Sequence, residues 1–314
     1  AQPLSELIER VRDLLAGSGL REVITYSLVG RRLLGRANYE EGSGVPAPLA
    51  LANPLTPDQE ILRTSLLPSL LECVVKNLRP DEGGVRLFEV GRVYVPRQAD
   101  LPQEREMVGM ALAGHRWLKR WGSVDAPLEF ADLKGVVEEL LDRLHVEGAS
   151  FERRSGQGFF HPGRAAVIRW RDLRLGAIGE LHPAVARNFE LRAPAFLAEL
   201  DIEVLLGAVK VDALRVALPP RFPEIRRDLA VVVEEDVTIA QLLDVIRQAG
   251  GPLLVSAELF DLFRGRGVPP GRKSCAFALI FRSPDRTLID AEVAELEARM
   301  IERLERLTGA RLRG

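Results

Sequence analysis

Arg227-Asp228-Leu229-Ala230-Val231-Val232-Val233, followed by Thr238 with Ile239, Leu242, Leu243 and Ile246 behind it, decides the fold of the last third of this chain. The β-branched run over 228–233 reads as a strand. Thr238 is a helix N-cap, the apolar residues after it recur at three- and four-residue spacing, and Gly250-Gly251-Pro252 stops the helix. Working outward, a second strand is expected over 253–263, then a Gly/Pro-rich loop and a third strand over 273–281. A helix over about 290–307 and a short last strand over 311–313 follow. The order strand, helix, strand, strand, helix, strand is the split βαβ, ferredoxin-like arrangement.

The expected sheet order is four-one-three-two, with strands one and three parallel. The start of the first strand, the end of the second, the start of the third and the end of the fourth then share one sheet end. Those places hold Arg226 and Arg227; Asp261, Phe263, Arg264 and Arg266; Arg272, Lys273 and Ser274; and Arg313. An aromatic face among unpaired cations and hydrogen-bonding groups describes a single-stranded nucleic-acid site. A solvated rim of arginines fits the same pattern, and pattern alone does not choose between them.

The chain has 314 residues, 46% hydrophobic and 28% charged, with a formal charge of −2. That suits two soluble globular domains and excludes a bulk basic attraction for nucleic acid, so any RNA contact is local. The two cysteines, Cys73 and Cys275, and four histidines cannot form a standard structural zinc site. With no disulfide framework and no apolar run of about 18 residues, a reducing cytoplasm is expected and a membrane partner is not. The opening Ala1-Gln2-Pro3 suggests a piece of something longer.

Residues 1–210 read as a separate layer. Leu4, Leu7, Ile8, Val11, Leu14 and Leu15 form a helical stripe ended by Gly17-Ser18-Gly19, and a strand is expected over 23–29. A second amphipathic helix spans 66–78, strands are expected over 86–95, 107–114 and 165–181, and a helix over 133–144. The result is an α+β layer: an antiparallel sheet flanked by helices, joined through a Pro-rich linker at 211–220 to the domain at 221–314. His161-Pro162-Gly163-Arg164 reads as a structural turn, and His182-Pro183 as a turn that starts a helix. The Arg/Glu pairs over 292–306 read as a solvated helix face with i,i+4 partners.

Both halves resemble one family. Phe222-Pro223, Arg227-Asp228-Leu229-Ala230, Leu259-Phe260-Asp261-Leu262-Phe263, Gly271-Arg272-Lys273-Ser274, Arg286-Thr287-Leu288 and Leu312-Arg313 resemble the ferredoxin-fold anticodon-binding domain of phenylalanine–tRNA ligases. Asn53-Pro54-Leu55, Leu62-Arg63-Thr64-Ser65-Leu66-Leu67-Pro68, Leu87-Phe88-Glu89-Val90-Gly91-Arg92-Val93, Asp132-Leu133-Lys134-Gly135 and Gly179-Glu180-Leu181-His182-Pro183 resemble the class II synthetase-like module of the bacterial β subunit. The resemblance implies that Phe263 stacks an anticodon base in place of the usual Tyr, with Asp261, Ser274 and Arg313 in polar contact. Arg264, Arg266, Arg272 and Lys273 are the further RNA-binding candidates.

It also implies a C-terminal β-subunit portion that docks a catalytic α subunit in an α2β2 heterotetramer, an editing domain upstream of Ala1, and phenylalanine, ATP and Mg²⁺ bound by α. The module itself is expected to be silent. Class II enzymes hold ATP phosphates with two arginines, and Val95 and Val204 stand where the family pattern places them, with Asp201 where a Gly lets the nucleotide approach. Docking is expected to leave apolar parts of 4–15 and 66–78 exposed. The alternatives are a single-chain, organelle-type phenylalanine–tRNA ligase, against which Val95 and Val204 argue, and a stand-alone RNA-binding or scaffold protein.

Overall fold

A computed structural model describes residues 2–39, 47–79, 83–97, 100–117, 121–122, 126–153, 158–209 and 219–313. Contacts divide the chain into two units, Ala1–Leu214 and Arg215–Gly314. The division falls in the expected linker, of which residues 211–218 lie outside the described ones.

In the first unit the elements run α1 (Gln2–Gly17), β1 (Arg21–Glu22), β2 (Leu28–Val29), α2 (Arg31–Arg36), β3 (Ile61–Leu62), α3 (Leu67–Asn77), β4 (Val85–Arg97) and β5 (Asp100–Ala113). They continue α4 (Phe130–Arg143), β6 (Ala149–Arg153), β7 (Phe160–Trp170), β8 (Leu173–Leu181), α5 (Pro183–Asn188), β9 (Ala195–Asp201) and α6 (Ile202–Ala208). One seven-stranded sheet in the order β1-β4-β5-β9-β8-β7-β6 forms its body, antiparallel except that β1 pairs parallel to β4. Of the strand expected over 23–29 only Leu28–Val29 is strand, with β1 just before the range; Val23 still donates to the Phe88 carbonyl at 2.8 Å.

Both faces of this sheet are filled. Leu7, Val11 and Leu15 of α1 join residues of α4 and α6 over Phe88, Val108, Met110, Leu112, Ile178 and Leu200. On the other face Leu67, Leu70, Leu71 and Val74 of α3 cover Leu87, Val93, Ala111 and Leu197. Each such side chain contributes about 1.5–3 kcal/mol by leaving water. Gly109 of β5 lets α3 approach, because a Cβ there would lie 2.6 Å from Leu70 Cδ1.

The stripes of α1 and α3 are therefore largely occupied internally, and only half-buried Leu4, Ile8, Leu14, Cys73, Val75 and Leu78 remain of the apolar surface expected to be left for a partner over 4–15 and 66–78. A helical stripe announces burial without saying against what. The exposed large apolar residues include Ile24, Tyr26, Leu55, Trp117 and Trp121, all outside helices and strands. His161-Pro162-Gly163-Arg164 is likewise no chain reversal: it lies within β7 at an irregularity between Phe160 and Ala165 in the pairing with β8. His182 caps α5, its Nδ1 accepting from Ala184 N at 3.1 Å.

The second unit contains β10 (Ile225–Glu234), α7 (Ile239–Gly250), β11 (Leu254–Phe263), β12 (Arg272–Phe281), α8 (Asp290–Thr308) and β13 (Arg311–Leu312), with sheet order β11-β12-β10-β13. Thr238 caps α7 as expected: its hydroxyl accepts from Gln241 N while Gln241 Oε1 accepts from Thr238 N. α7 and α8 bury one sheet face, where Leu229, Val231, Val233, Cys275, Phe277, Leu279 and Phe281 meet Leu242, Ile246, Val293 and Met300.

Strands one and three of this unit, β10 and β12, are antiparallel, not parallel. The α7 crossover makes β10 and β11 run the same way, and β12 fits between them by returning directly from β11, which reverses it against both. The acids of α8 also find partners off the helix. Glu292 pairs with Arg286 and accepts from Ile289 N, contacts that hold its carboxyl down at about 2, and Arg227 reaches Asp290 and Glu297.

Candidate nucleic-acid interface

The antiparallel pairing decides which residues meet. Phe263 pairs with Ser274, Ser274 with Val232, and Val232 with Arg311, so the ends of β10 and β11 and the starts of β12 and β13 lie together. Arg226 and Arg227, expected there too, sit at the other sheet end, where Arg226 pairs with Glu224 at 2.7 Å and Arg227 with Asp290 at 2.8 Å. They leave the candidate set.

Alternation puts Asp261, Phe263, Ser274 and Ala276 on the face away from α7 and α8, and Leu259, Leu262, Cys275 and Phe277 on the helix face. The outer face holds Ala230, Ala276 and Ala278 at its centre, so small side chains line it there. A register shift between Leu259 and Asp261 lets Phe260 stand out from the edge, so it does not compete with Leu262 for the core.

Phe263 is 37% exposed, with the Arg313 guanidinium 5.6 Å from its ring centroid. Arg313 Nη1 donates to the buried Ser274 hydroxyl at 3.1 Å, and Arg313 N to the Ala230 carbonyl at 2.9 Å. Gly265, at φ +150°, lies under the ring: a Cβ there would be 3.0 Å from Phe263 Cζ. The cluster is thus a prepositioned aromatic ring with a cation beside it, and the Asp261 carboxylate two residues along the same strand face is exposed and makes no hydrogen bond or ion pair with the described residues.

The loop cations are less free than expected. Arg264 makes a two-pronged pair with Glu235, its Nη2 2.6 Å from Oε1, and Arg272 pairs with Glu234. Lys273 is buried and donates to the Glu235 carbonyl at 2.9 Å. Only Arg266 of this group is exposed without a partner among the described residues. Glu234 and Glu235 sit at the end of β10, and reading strands one and three as parallel sent that end to the wrong side of the sheet.

The first unit holds a polar row that the sequence reading did not single out. Glu89, Gly109 and Glu199 are cross-strand neighbours on β4, β5 and β9. Arg63 and Glu89 form a buried pair at 2.8 Å, with Thr25 donating to Glu89 through N and Oγ1 and Arg63 donating to the Arg92 carbonyl. Glu199 accepts from Leu66 N at 2.7 Å and from Ser65 Oγ, and burial pushes its carboxyl up to about 7. Cross-strand register is what joins them, and a single strand read alone does not contain it. Among the described residues no group of three or more His, Cys, Asp or Glu could hold a metal ion.

A family model described as the phenylalanyl tRNA synthetase beta chain CLM domain matches residues 1–202. The chain belongs to that family. The ferredoxin-fold anticodon-binding domain model matches residues 220–313, the unit that carries the Phe263 cluster. Phenylalanine–tRNA ligase beta subunits are similar throughout. That of Symbiobacterium thermophilum is 41% identical over 96% of this chain and 34% of its own length. Those of Geobacter sulfurreducens and Clostridium acetobutylicum are 39% and 36% identical over 97% and 99% of this chain, each matched over 38% of its length. The chain thus spans little more than a third of these relatives.

Within this family's module, Val95 of β4 pairs with Gln103 of β5 and Val204 is packed against the core. Asp201 caps α6, accepting from Glu203 N at 2.9 Å and Val204 N at 3.1 Å, and pairs with Arg105 at 3.4 Å. Its carboxylate is engaged in holding a helix end.

Proposed function

We propose that this chain is a non-catalytic portion of a phenylalanine–tRNA ligase β subunit, binding the anticodon of the phenylalanine tRNA through its second unit and docking a catalytic α subunit through its first. The observation that carries the RNA reading is the outer sheet face of the second unit, where Phe263 stands open beside Arg313, Ser274 and Asp261. A base stacks on the ring, Arg313 reinforces the stack by cation–π attraction, and the Asp261 carboxylate accepts from base donors. Arg266 meets phosphate. Phenylalanine, ATP and Mg²⁺ belong to the α subunit, in a heterotetramer of two α and two β chains.

The silence of the first unit rests on its packing: both faces of its sheet are covered by hydrophobic side chains, and Val95 and Val204 offer no cation to a phosphate. No helix among the described residues is long and apolar enough to cross a membrane, which agrees with a cytoplasmic place of work. The test pairs two measurements on one variant. Phe263→Ala is expected to weaken anticodon-stem-loop binding by roughly 1–3 kcal/mol with little change in melting temperature. Unchanged binding would remove the stacking role.

A further inference from the structure

We infer that Phe260 is a second stacking ring, which takes the nucleotide next to the one on Phe263; the inference rests on the anticodon reading of the second unit. β11 is an edge strand, paired only with β12, so one of its sides is open. Leu259 pairs with Phe277 and Asp261 with Ala276, which leaves Phe260 as the extra residue of a bulge. A bulge bends its strand and re-aims a side chain. Here it takes the ring out of the helix-side core, to which this strand contributes Leu254, Ala257, Leu259 and Leu262. Phe260 is left 58% exposed, more open than Phe263. The two rings bracket Asp261 on one open strand. At a rise of about 3.3 Å per residue their Cα atoms lie within ~10 Å of each other, a span that two neighbouring nucleotides bridge once their bases are unstacked.

The charges beside the rings sort the parts of a nucleotide. Asp228, Glu258 and Asp261 carry exposed carboxylates on the outer face, and Glu258 accepts from Ser256 Oγ at 3.1 Å. Glu234, at the end of β10, is paired with Arg272. Carboxylates repel phosphate and accept from base amino groups, so this face suits bases while the sugar–phosphate chain keeps to its margins. Cations stand at those margins. Arg313 and Arg266 are at the Phe263 end, and Arg247 lines a hollow of about 280 Å³ with Val255, Ser256 and Glu258. A protein partner is met by a contiguous apolar patch, whereas Phe260 stands between Glu258 and Asp261 with Leu259 turned inward. An isolated ring among acceptors is the equipment for a base. Sheets that read single-stranded RNA stack two or three successive bases on such rings.

The test titrates the 314-residue chain with the anticodon stem-loop of phenylalanine tRNA, and with the same stem-loop made abasic at one loop position at a time. Phe260→Ala is expected to weaken binding about 5- to 150-fold with the melting temperature unchanged, since the ring lies outside the core. Phe260→Tyr should bind as the parent does. Phe260→Leu should bind as the Ala variant does, because leucine keeps apolar surface and loses the flat ring. Comparing abasic RNAs on Phe263→Ala marks the nucleotide on that ring. An abasic site at one of its neighbours should weaken the parent and cost Phe260→Ala nothing further. If Phe260→Ala binds every RNA as the parent does while Phe263→Ala is weakened, the second ring is refuted and the anticodon reading stands. A loss that leucine restores, or that no abasic site absorbs, refutes base stacking at Phe260. Normal RNA binding with lost binding of a catalytic α subunit makes the ring a protein contact and overturns the inference. If Phe263→Ala binds as the parent does, or the parent binds no stem-loop, the anticodon reading falls and the inference with it.

Discussion

Phe263 and Arg266 would meet RNA through different physics under the proposed function, and salt separates them. Arg266→Ala should weaken all RNAs alike and flatten the salt dependence by roughly 0.7–0.9 of a unit, whereas Phe263→Ala should leave the slope unchanged. Arg264→Ala should cost RNA affinity more than its charge alone, because it releases the Glu235 carboxylate beside the proposed RNA face. Glu199 gives a pH signature. Its folded-state value of about 7 lies above the ordinary carboxylate value, so between about 4.5 and 7 the folded chain holds a proton that the unfolded chain has released. Stability from this group is therefore greatest at low pH and falls as pH rises towards 7, by at most roughly 1.4 kcal/mol per unit. Glu199→Gln should remove that fall, seen as a flatter dependence of urea midpoint on pH than in the parent. Arg63→Ala strands the buried Glu89 without its cation and should destabilise by about 3–5 kcal/mol in chemical denaturation.

At the scale of elements, what was legible followed from periodicity. The stripe of α1 and the cap and stripe of α7 stand where spacing and Thr238 put them, since both signals are local. α2, α6, β6 and β9 carry no periodic signal, because the two helices are only 6 and 7 residues long and β9 is an apolar run without alternation, whereas the start of α5 was legible in His182-Pro183. The role of α3 was misread for another reason. Its amphipathic face was plain, but the surface it meets is assembled from β4, β5 and β9. Gly109 is the key to that fit, and Gly109→Ala should press a methyl into Leu70 and Leu66, lowering stability by about 1–3 kcal/mol in thermal or urea melts. Phe263, Ser274 and Arg313, named through motif resemblance, do come together, with Asp261 two residues along the same strand face. Arg226 and Arg227 failed because one wrong strand direction carries every residue of that strand to the opposite sheet end.

The whole molecule consists of two units, each with cores of its own. Residues 219–314 alone should fold and bind anticodon RNA, with a dispersed amide spectrum as the check. The full chain should show no phenylalanine-dependent ATP–pyrophosphate exchange above a heat-killed control; measurable exchange would mean that the filled sheet face opens. The sequence by itself determined the two-part division, the ferredoxin-like element order and the family, because these depend on local propensity, hydrophobic period and contiguous motifs. Only the tertiary structure decided which cations are free, which apolar helices are already covered, and that Glu89, Gly109 and Glu199 form one row. Those facts depend on strand direction and cross-strand register, set by crossover connections and packing between residues more than a hundred positions apart in places, such as Leu66 and Glu199.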